Sequence, residues 1–403
     1  IVIQRIYMKG GVTMIANKMT LREHNVTLLL STIIHNPEIS RAAISHLTGL
    51  HKPSTSDIVK KFIDEQLINE IGIGNSTASG GRKPIQLQMN YDVGCSLSID
   101  IGYDYIYGLL TNLNGERIHY IANEGNRLTK ENTVSEINKI VTAMQPYYEH
   151  TKFQLIGITI AIHGVVHNNN IVFTTYSDLH EIALAEIIET KWNTPVYIEN
   201  EANLSVLGEK GFTTPLKNMV SVSIHNGVGA GILIDGELYH GTKGQGGEIG
   251  HMILQPHGRP CPCGNKGCME QYCSAAILLK DYRTLMDSPG ATYKDLNESY
   301  KNGEPAVLEL VDTAVDYLSF GINNLIMNLD PEVIILNSKL FDYLPTLLNA
   351  IKERITNRFS KDVQIVESSL NHQAILLGGT ILNLQHFFNI PDLTLHQKTY
   401  IEN

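Results

Sequence analysis

No apolar run in this sequence reaches the ~18 residues that a membrane-crossing helix needs. Its opening stretch, IVIQRIYMKGGVTMIANKM, lacks a coherent apolar core followed by a small-residue cleavage site, so no signal peptide is expected. Cysteine is scarce, with five residues in 403, and four of the five fall within residues 261–273. In a chain expected to be cytoplasmic, that clustering reads as metal ligation rather than a disulfide framework. Net positive charge is absent as well. The formal charge is −10, which over the whole chain argues against a nucleic-acid binder. The charge is unevenly spread, however. Residues 1–90 hold ten Lys/Arg against six Asp/Glu, and the remainder holds 21 against 35. Such asymmetry is that of a nucleic-acid-facing head on an acidic body. A chain of this length is expected to form two or three compact units.

Residues 17–90 read as a winged helix-turn-helix. Leu21, Leu28, Leu29, Thr32 and Ile33 recur at near-helical spacing, and Asn36-Pro37 ends that helix. Ser40 stands where an N-cap belongs and opens a short helix through Leu47, with Ala43, Ile44 and Leu47 as its buried face. After the Thr48-Gly49-Leu50 turn, Pro53 marks the first turn of a second helix, with Ile58, Val59, Phe62, Ile63 and Leu67 facing inward. In a helix-turn-helix this second helix lies in the major groove. Lys52, Ser54, Thr55 and Ser56 occupy its first turn and are expected to reach base edges and phosphates. Lys60 and Lys61 are better placed for the backbone. Two wing strands are expected at 67–73 and 85–89. Between them, Gly80-Gly81 permit a sharp bend, and Arg82 and Lys83 offer charge to a minor groove or a phosphate. A three-helix protein-interaction module is the competing reading.

The rest, residues 91–403, alternates apolar strands with glycine turns and helices. CSLSIDIG (95–102), LIGITIAIHG (155–164), PVYIENEAN (195–203) and MVSVSIHNGVGAGILIDGELYHG (219–241) indicate an α/β body. Polar residues gather after these strands. Asn200 and Glu201 end one of them, Glu248 and His251 sit in GTKGQGGEIGH, and Glu270 lies just past the cysteines. Carboxylates, an amide and an imidazole on loops suit a polyhydroxyl ligand, because each hydroxyl both donates and accepts. A buried ion-pair network is the alternative.

His251, Cys261, Cys263 and Cys268 form the pattern H-x9-C-x-C-x4-C. Three thiolates and one imidazole close a tetrahedral Zn²⁺ shell, so the zinc is expected to be structural. Cys273 falls in an expected helix and Cys95 in a strand, and both are left out. With one nitrogen of His251 on zinc, the other can point at ligand, its orientation fixed by the metal.

The segment GQGGEIGHM…CPCGNKGCMEQYCS resembles the signature of the ROK family of repressors, open reading frames and kinases, and IENEAN fits the same family. ISRAAISHLTGLHKPSTSDIVKKFIDEQLINEIG and SGGRKP look like the DNA-binding head of its repressor branch. The resemblance runs from about residue 17 to the end, and ENEAN looks most like the xylose repressors of Gram-positive bacteria. It implies a bilobal, actin/hexokinase-like domain with sugar in the cleft. It also implies homodimers, or tetramers, on palindromic double-stranded operators, released when xylose or a related sugar binds. Carried over by position, Asn200, Glu248, His251 and Glu270 contact sugar, and Glu201 takes the place of the kinase catalytic base. Asp178 stands near an asparagine position of the family and is expected to accept from a hydroxyl.

An ATP-dependent sugar kinase is the rival function. Several departures speak against it. Glu201 replaces the aspartate base, one methylene further out. Tyr103 and Asp104 follow Gly102, His225-Asn226-Gly227 replaces a Gly-Thr-Gly loop, and Asn337-Ser338 replaces a glycine pair and is expected to crowd adenosine. Gly378-Gly379 remain, and His163-Gly164 stands where Pro-Gly is common. A repressor with no catalytic residue is therefore expected. A ligand-independent DNA-binding scaffold is the third reading.

Overall fold

The structure, a computed structural model, describes residues 16–73, 83–174 and 178–395; Gly80, Gly81, Arg82 and Ser177 lie outside them. The head comprises α1 (Ala16–His35), β1 (Ile39–Ser40), α2 (Arg41–Thr48), α3 (Lys52–Asp64), β2 (Ile68–Ile73) and β3 (Ile85–Met89). Ser40 caps α2 by accepting the Ala43 amide at 3.2 Å, and Gly49, at φ +70°, ends it in the left-handed conformation a glycine adopts without strain. Pro53 sits in the first turn of α3. The three strands pair antiparallel in the order β1-β3-β2. The helix-turn-helix and wing strands therefore form as their sequence pattern dictates. Two face assignments differ. Leu21 is 62% exposed and Leu47 is 60% exposed, because the packed stripe of α1 is Leu29, Leu30, Ile33 and Ile34, and α2 buries Ile44 alone.

The body repeats one topology twice. The first lobe holds β4 (Cys95–Ile101), β5 (Tyr105–Asn112), β6 (Arg117–Glu124), α4 (Thr133–Tyr148), β7 (Leu155–Ile162), the β8 (Gly164–His167)–β9 (Asn170–Thr174) hairpin, α5 (Leu184–Trp192) and β10 (Val196–Asn200). Its sheet runs β10-β7-β4-β5-β6, with β4, β7 and β10 parallel and β5 and β6 added antiparallel. Helix α6 (Glu201–Phe212) leads into the second lobe. There β11 (Met219–Ile224), β12 (Val228–Ile234) and β13 (Glu237–Leu238) precede α7 (Glu270–Cys273), α8 (Ala275–Leu285), α9 (Tyr293–Lys301), α10 (Pro305–Leu329), β14 (Val333–Asn337), α11 (Leu340–Tyr343), α12 (Leu347–Arg354), β15 (Gln364–Glu367) and α13 (Ala374–Phe388). The second sheet, β13-β12-β11-β14-β15, has the same mixture of parallel and antiparallel neighbours. β4, β7, β11 and β14 are buried along their whole length, as central strands covered on both faces must be.

Helices α6 and α13 cross at the centre with their backbones almost touching. A Cβ on Gly378 would lie 1.8 Å from Leu204 O, and one on Gly208 would lie 2.2 Å from Ala374 O. Gly378 and Gly379, expected to survive from a nucleotide site, instead permit helix-to-helix and helix-to-sheet packing; a Cβ on Gly379 would meet Ser98 Oγ at 2.7 Å. Beyond α13 the chain turns under the head. Phe388, Ile390, Leu393 and Leu395 share one apolar core with Leu29, Ile33, Val59 and Phe62, and His35 Nε2 lies 3.3 Å from Thr394 Oγ1. The head is thus packed onto the body. No helix among the described residues is long and apolar enough to cross a membrane.

Candidate functional site

Strand ends from both lobes converge on one cleft of about 590 Å³. From the first lobe come Asp100 at the end of β4, Tyr105 and Tyr107 of β5, and His163 just past β7. The β10–α6 junction brings Asn200 and Glu201. Asn200 is the N-cap of α6: its Oδ1 accepts the amides of Ala202 (2.8 Å) and Asn203 (3.2 Å), while its Nδ2 donates to Gly164 O at 2.9 Å. An asparagine serves here because one side chain satisfies two orphan helix amides and a loop carbonyl at once. The cap sets Glu201, in the first turn, 8% exposed at the cleft floor. Burial pushes its carboxyl upward, and the His163 charge opposes that shift.

The second lobe supplies His225 and Gly227 from the β11–β12 turn and Glu248, His251 and Glu270 from the segment after β13. Gly247, at φ +87°, makes that segment possible; a Cβ there would lie 1.8 Å from Ala230 O. His251 stands between two carboxylates. Its Nε2 is 3.7 Å from Glu248 Oε2, and its Nδ1 is 3.7 Å from Glu270 Oε1 and 3.5 Å from Cys261 Sγ. The imidazole thus turns one nitrogen to the sulfurs and the other to the Glu248 side of the cleft. Possible ligand atoms of His251, Cys261, Cys263 and Cys268 all lie within 4.8 Å of one another. Cys273 is elsewhere, buried and donating to Met269 O at 3.3 Å, and Cys95 is buried in β4.

Some expected site residues are placed differently. Asp178 does not line the cleft. It is exposed at the turn Leu179–Glu181, beside the Lys130–Glu181 ion pair. Asn337 is 2% exposed, and its amide donates to Ser205 Oγ (3.3 Å) and Asn371 O (3.0 Å); Ser338 donates to Ile224 O at 2.6 Å. These two side chains fold inward to tie β14 to its neighbours, so they do not crowd the cleft. His163, noted in the sequence only as standing where Pro-Gly is common, was not among the expected site residues, yet it lines the cleft. Its Nε2 is 3.1 Å from Asp100 Oδ1 and 3.0 Å from the Tyr105 hydroxyl, and its Nδ1 is 3.9 Å from Glu201 Oε1. Burial alone would depress its pKa, but the charge and hydrogen bond of Asp100, with Glu201, raise it to about 9. His225 goes the other way, lowered to about 4 by burial. The available signal for His163 was its position, an unexpected imidazole directly after an apolar strand.

On the head, Lys52, Ser54, Ser56, Lys60 and Lys83 are exposed. Thr55 is a correction. It is 0% exposed, on the inner side of α3 with Ile58, Val59 and Phe62, and a side chain there cannot meet a base edge. Arg82 lies outside the described residues.

Two mixed α/β sheets of repeated topology flank a polar cleft, and a small three-helix, three-stranded head packs on them. The chain belongs to the ROK family, whose model matches residues 96–386. A xylose repressor of Bacillus spizizenii is 35% identical over 387 residues, covering 93% of this chain and 99% of its own. The crystal structure of a ROK family transcriptional regulator, a homologue of the E. coli MLC protein, superposes with a TM-score of 0.78 at 25% identity, covering 92% of this chain and 97% of its own. A ROK family glucokinase from Streptomyces griseus, solved with glucose and AMPPNP, is similar in fold (TM-score 0.62, 22% identity), with 99% of that chain covering 72% of this one.

Proposed function

We propose that this chain is a sugar-responsive transcriptional repressor, which binds double-stranded operator DNA through residues 17–90 and a sugar through residues 91–403. The observation that carries this reading is coverage. The regulator and the xylose repressor align over 92% and 93% of this chain, more than the body alone can supply, whereas the full length of the glucokinase accounts for 72% of it. The cleft suits a neutral polyol: Asn200, Glu201, Glu248, His251 and Glu270 offer several acceptors and an imidazole around one cavity. D-xylose is the first candidate, given the relative's name. His251, Cys261, Cys263 and Cys268 fit a structural Zn²⁺ by their donor chemistry and mutual distances. When bound, that ion holds the segment before Glu270 and orients His251, while the protein side chains alone meet the sugar. The working unit is a homodimer, whose two heads match two half-sites of a palindrome.

Melting temperature against a panel of D-xylose, L-arabinose, D-glucose and N-acetylglucosamine tests the sensor. One sugar should raise it by several degrees, as selective binding to the folded state requires. An ATP-coupled phosphorylation assay on the same sugars should stay at background. Steady turnover would instead make the chain a kinase.

A further inference from the structure

We propose that His163 is a ligand-contacting residue, and that its Nδ1–H together with the Glu201 carboxylate clamps a single hydroxyl of the bound sugar. The inference rests on the sugar-sensor reading above and adds a residue and a contact to it. Three observations carry it. First, the imidazole is held from one side only. Nε2 faces Asp100 Oδ1 at 3.1 Å and the Tyr105 hydroxyl at 3.0 Å, and Tyr105 itself donates to Asp100 Oδ2 at 3.4 Å. Asp100 lies on a fully buried strand, so the ring cannot swing away without stranding a carboxylate. Second, Nδ1 has no hydrogen bond among the described residues. It lies 3.9 Å from Glu201 Oε1, beyond bonding distance, while a quarter of the His163 side chain is open to the cleft. Third, Glu201 Oε1, the oxygen nearer Nδ1, makes no hydrogen bond among the described residues, and Oε2 behind it is buried.

A donor and an acceptor that face the same space and stop short of each other are matched by a hydroxyl. Its oxygen accepts from Nδ1–H and its hydrogen points to Glu201. A phosphate or carboxylate ligand would satisfy the imidazole but be repelled by Glu201 and Asp100, so the pair selects an uncharged hydroxyl.

The contact depends on the proton at Nδ1. The groups facing His163 are Asp100 from β4, Tyr105 from β5, Glu201 from α6 and His225 from the β11–β12 turn. The two carboxylates favour the imidazolium, and neutral His225 adds no charge. On deprotonation Nε2 keeps its hydrogen toward Asp100 and Nδ1 becomes an acceptor, so the clamp loses its donor. Sugar affinity should therefore be flat below about pH 8 and fall as pH rises through about 9.

Calorimetric titration of the full chain with the panel sugar that binds best, from pH 6 to pH 10, tests this. Wild type should weaken about tenfold or more across that upper range, and His163→Phe should bind about tenfold or more weaker at pH 7 with no such pH step. Should His163→Phe fail to fold, His163→Gln decides. Its amide can donate but not titrate, so binding should persist without the step near pH 9. Wild-type affinity in His163→Phe, or a step near pH 9 retained in His163→Gln, would overturn the assignment. If wild type binds no sugar at all, the sensor reading falls and this one with it. Wild-type binding with indifferent variants removes only the His163 clamp.

Discussion

A hydroxyl without a partner costs stability wherever it is buried, and Thr55 carries one in the first turn of α3. Valine has the same shape without the hydroxyl. Thr55→Val should therefore leave operator affinity unchanged and raise unfolding free energy by about 1 kcal/mol in a denaturant titration; a large loss of DNA binding would place Thr55 back at the interface. Residues of the thiolate cluster should behave in the opposite way. Cys263→Ser should drop zinc from about one ion per chain to near zero by elemental analysis, lower the melting temperature, and weaken sugar binding about tenfold through a misoriented His251. Full sugar affinity in zinc-free protein would separate the two sites. Much of this scale was legible in the sequence. The cysteine spacing located one cluster, and the order of Asn200, Glu248, His251 and Glu270 located one cleft. What was not legible was which face each side chain takes. Thr55 and Ser56 are adjacent and differ only by the rotation of a helix. Asp178 and His163 differ by how a loop leaves a strand, which periodicity does not encode.

Elements carry the connection between cleft and head. Asn200 and Glu201 begin α6 at the cleft, α6 is locked against α13 by glycine contacts, and α13 ends in the core that also holds α1 and α3. The sequence showed the strands, the helix-turn-helix and the Ser40 N-cap, since those depend on local spacing. It did not show that α13 bridges body and head, because that contact joins residues more than three hundred positions apart. Gly378→Ala probes the crossing. Its new methyl group would collide with Leu204 backbone, which cannot rotate aside, so unfolding free energy should fall by about 3 kcal/mol in chemical denaturation. A change below about 0.5 kcal/mol would mean that α6 and α13 are less tightly engaged than the structure has them. On the proposed reading, a variant that stays folded should also respond less to sugar, because α6 and α13 are the elements that join the cleft to the core beneath the head.

At the scale of the whole molecule, the cleft and the head are built into one packed body, and on the proposed reading the first senses sugar and the second reads DNA. A ligand that favours one arrangement of the lobes therefore biases the head by its differential affinity for the two arrangements. Two heads that lose their half-site spacing lose most of their joint affinity. The −10 overall charge is consistent with this division, because the first 90 residues carry ten Lys/Arg against six Asp/Glu and the remainder 21 against 35. The decisive measurement is fluorescence anisotropy of a labelled palindromic duplex, selected from a random library by the full chain, titrated with and without saturating D-xylose. Binding should be tight without sugar, weaken steeply with added salt, and loosen at least tenfold with sugar. Failure to select or bind any duplex in any sugar state, or an affinity that no sugar of the panel alters, would contradict the account.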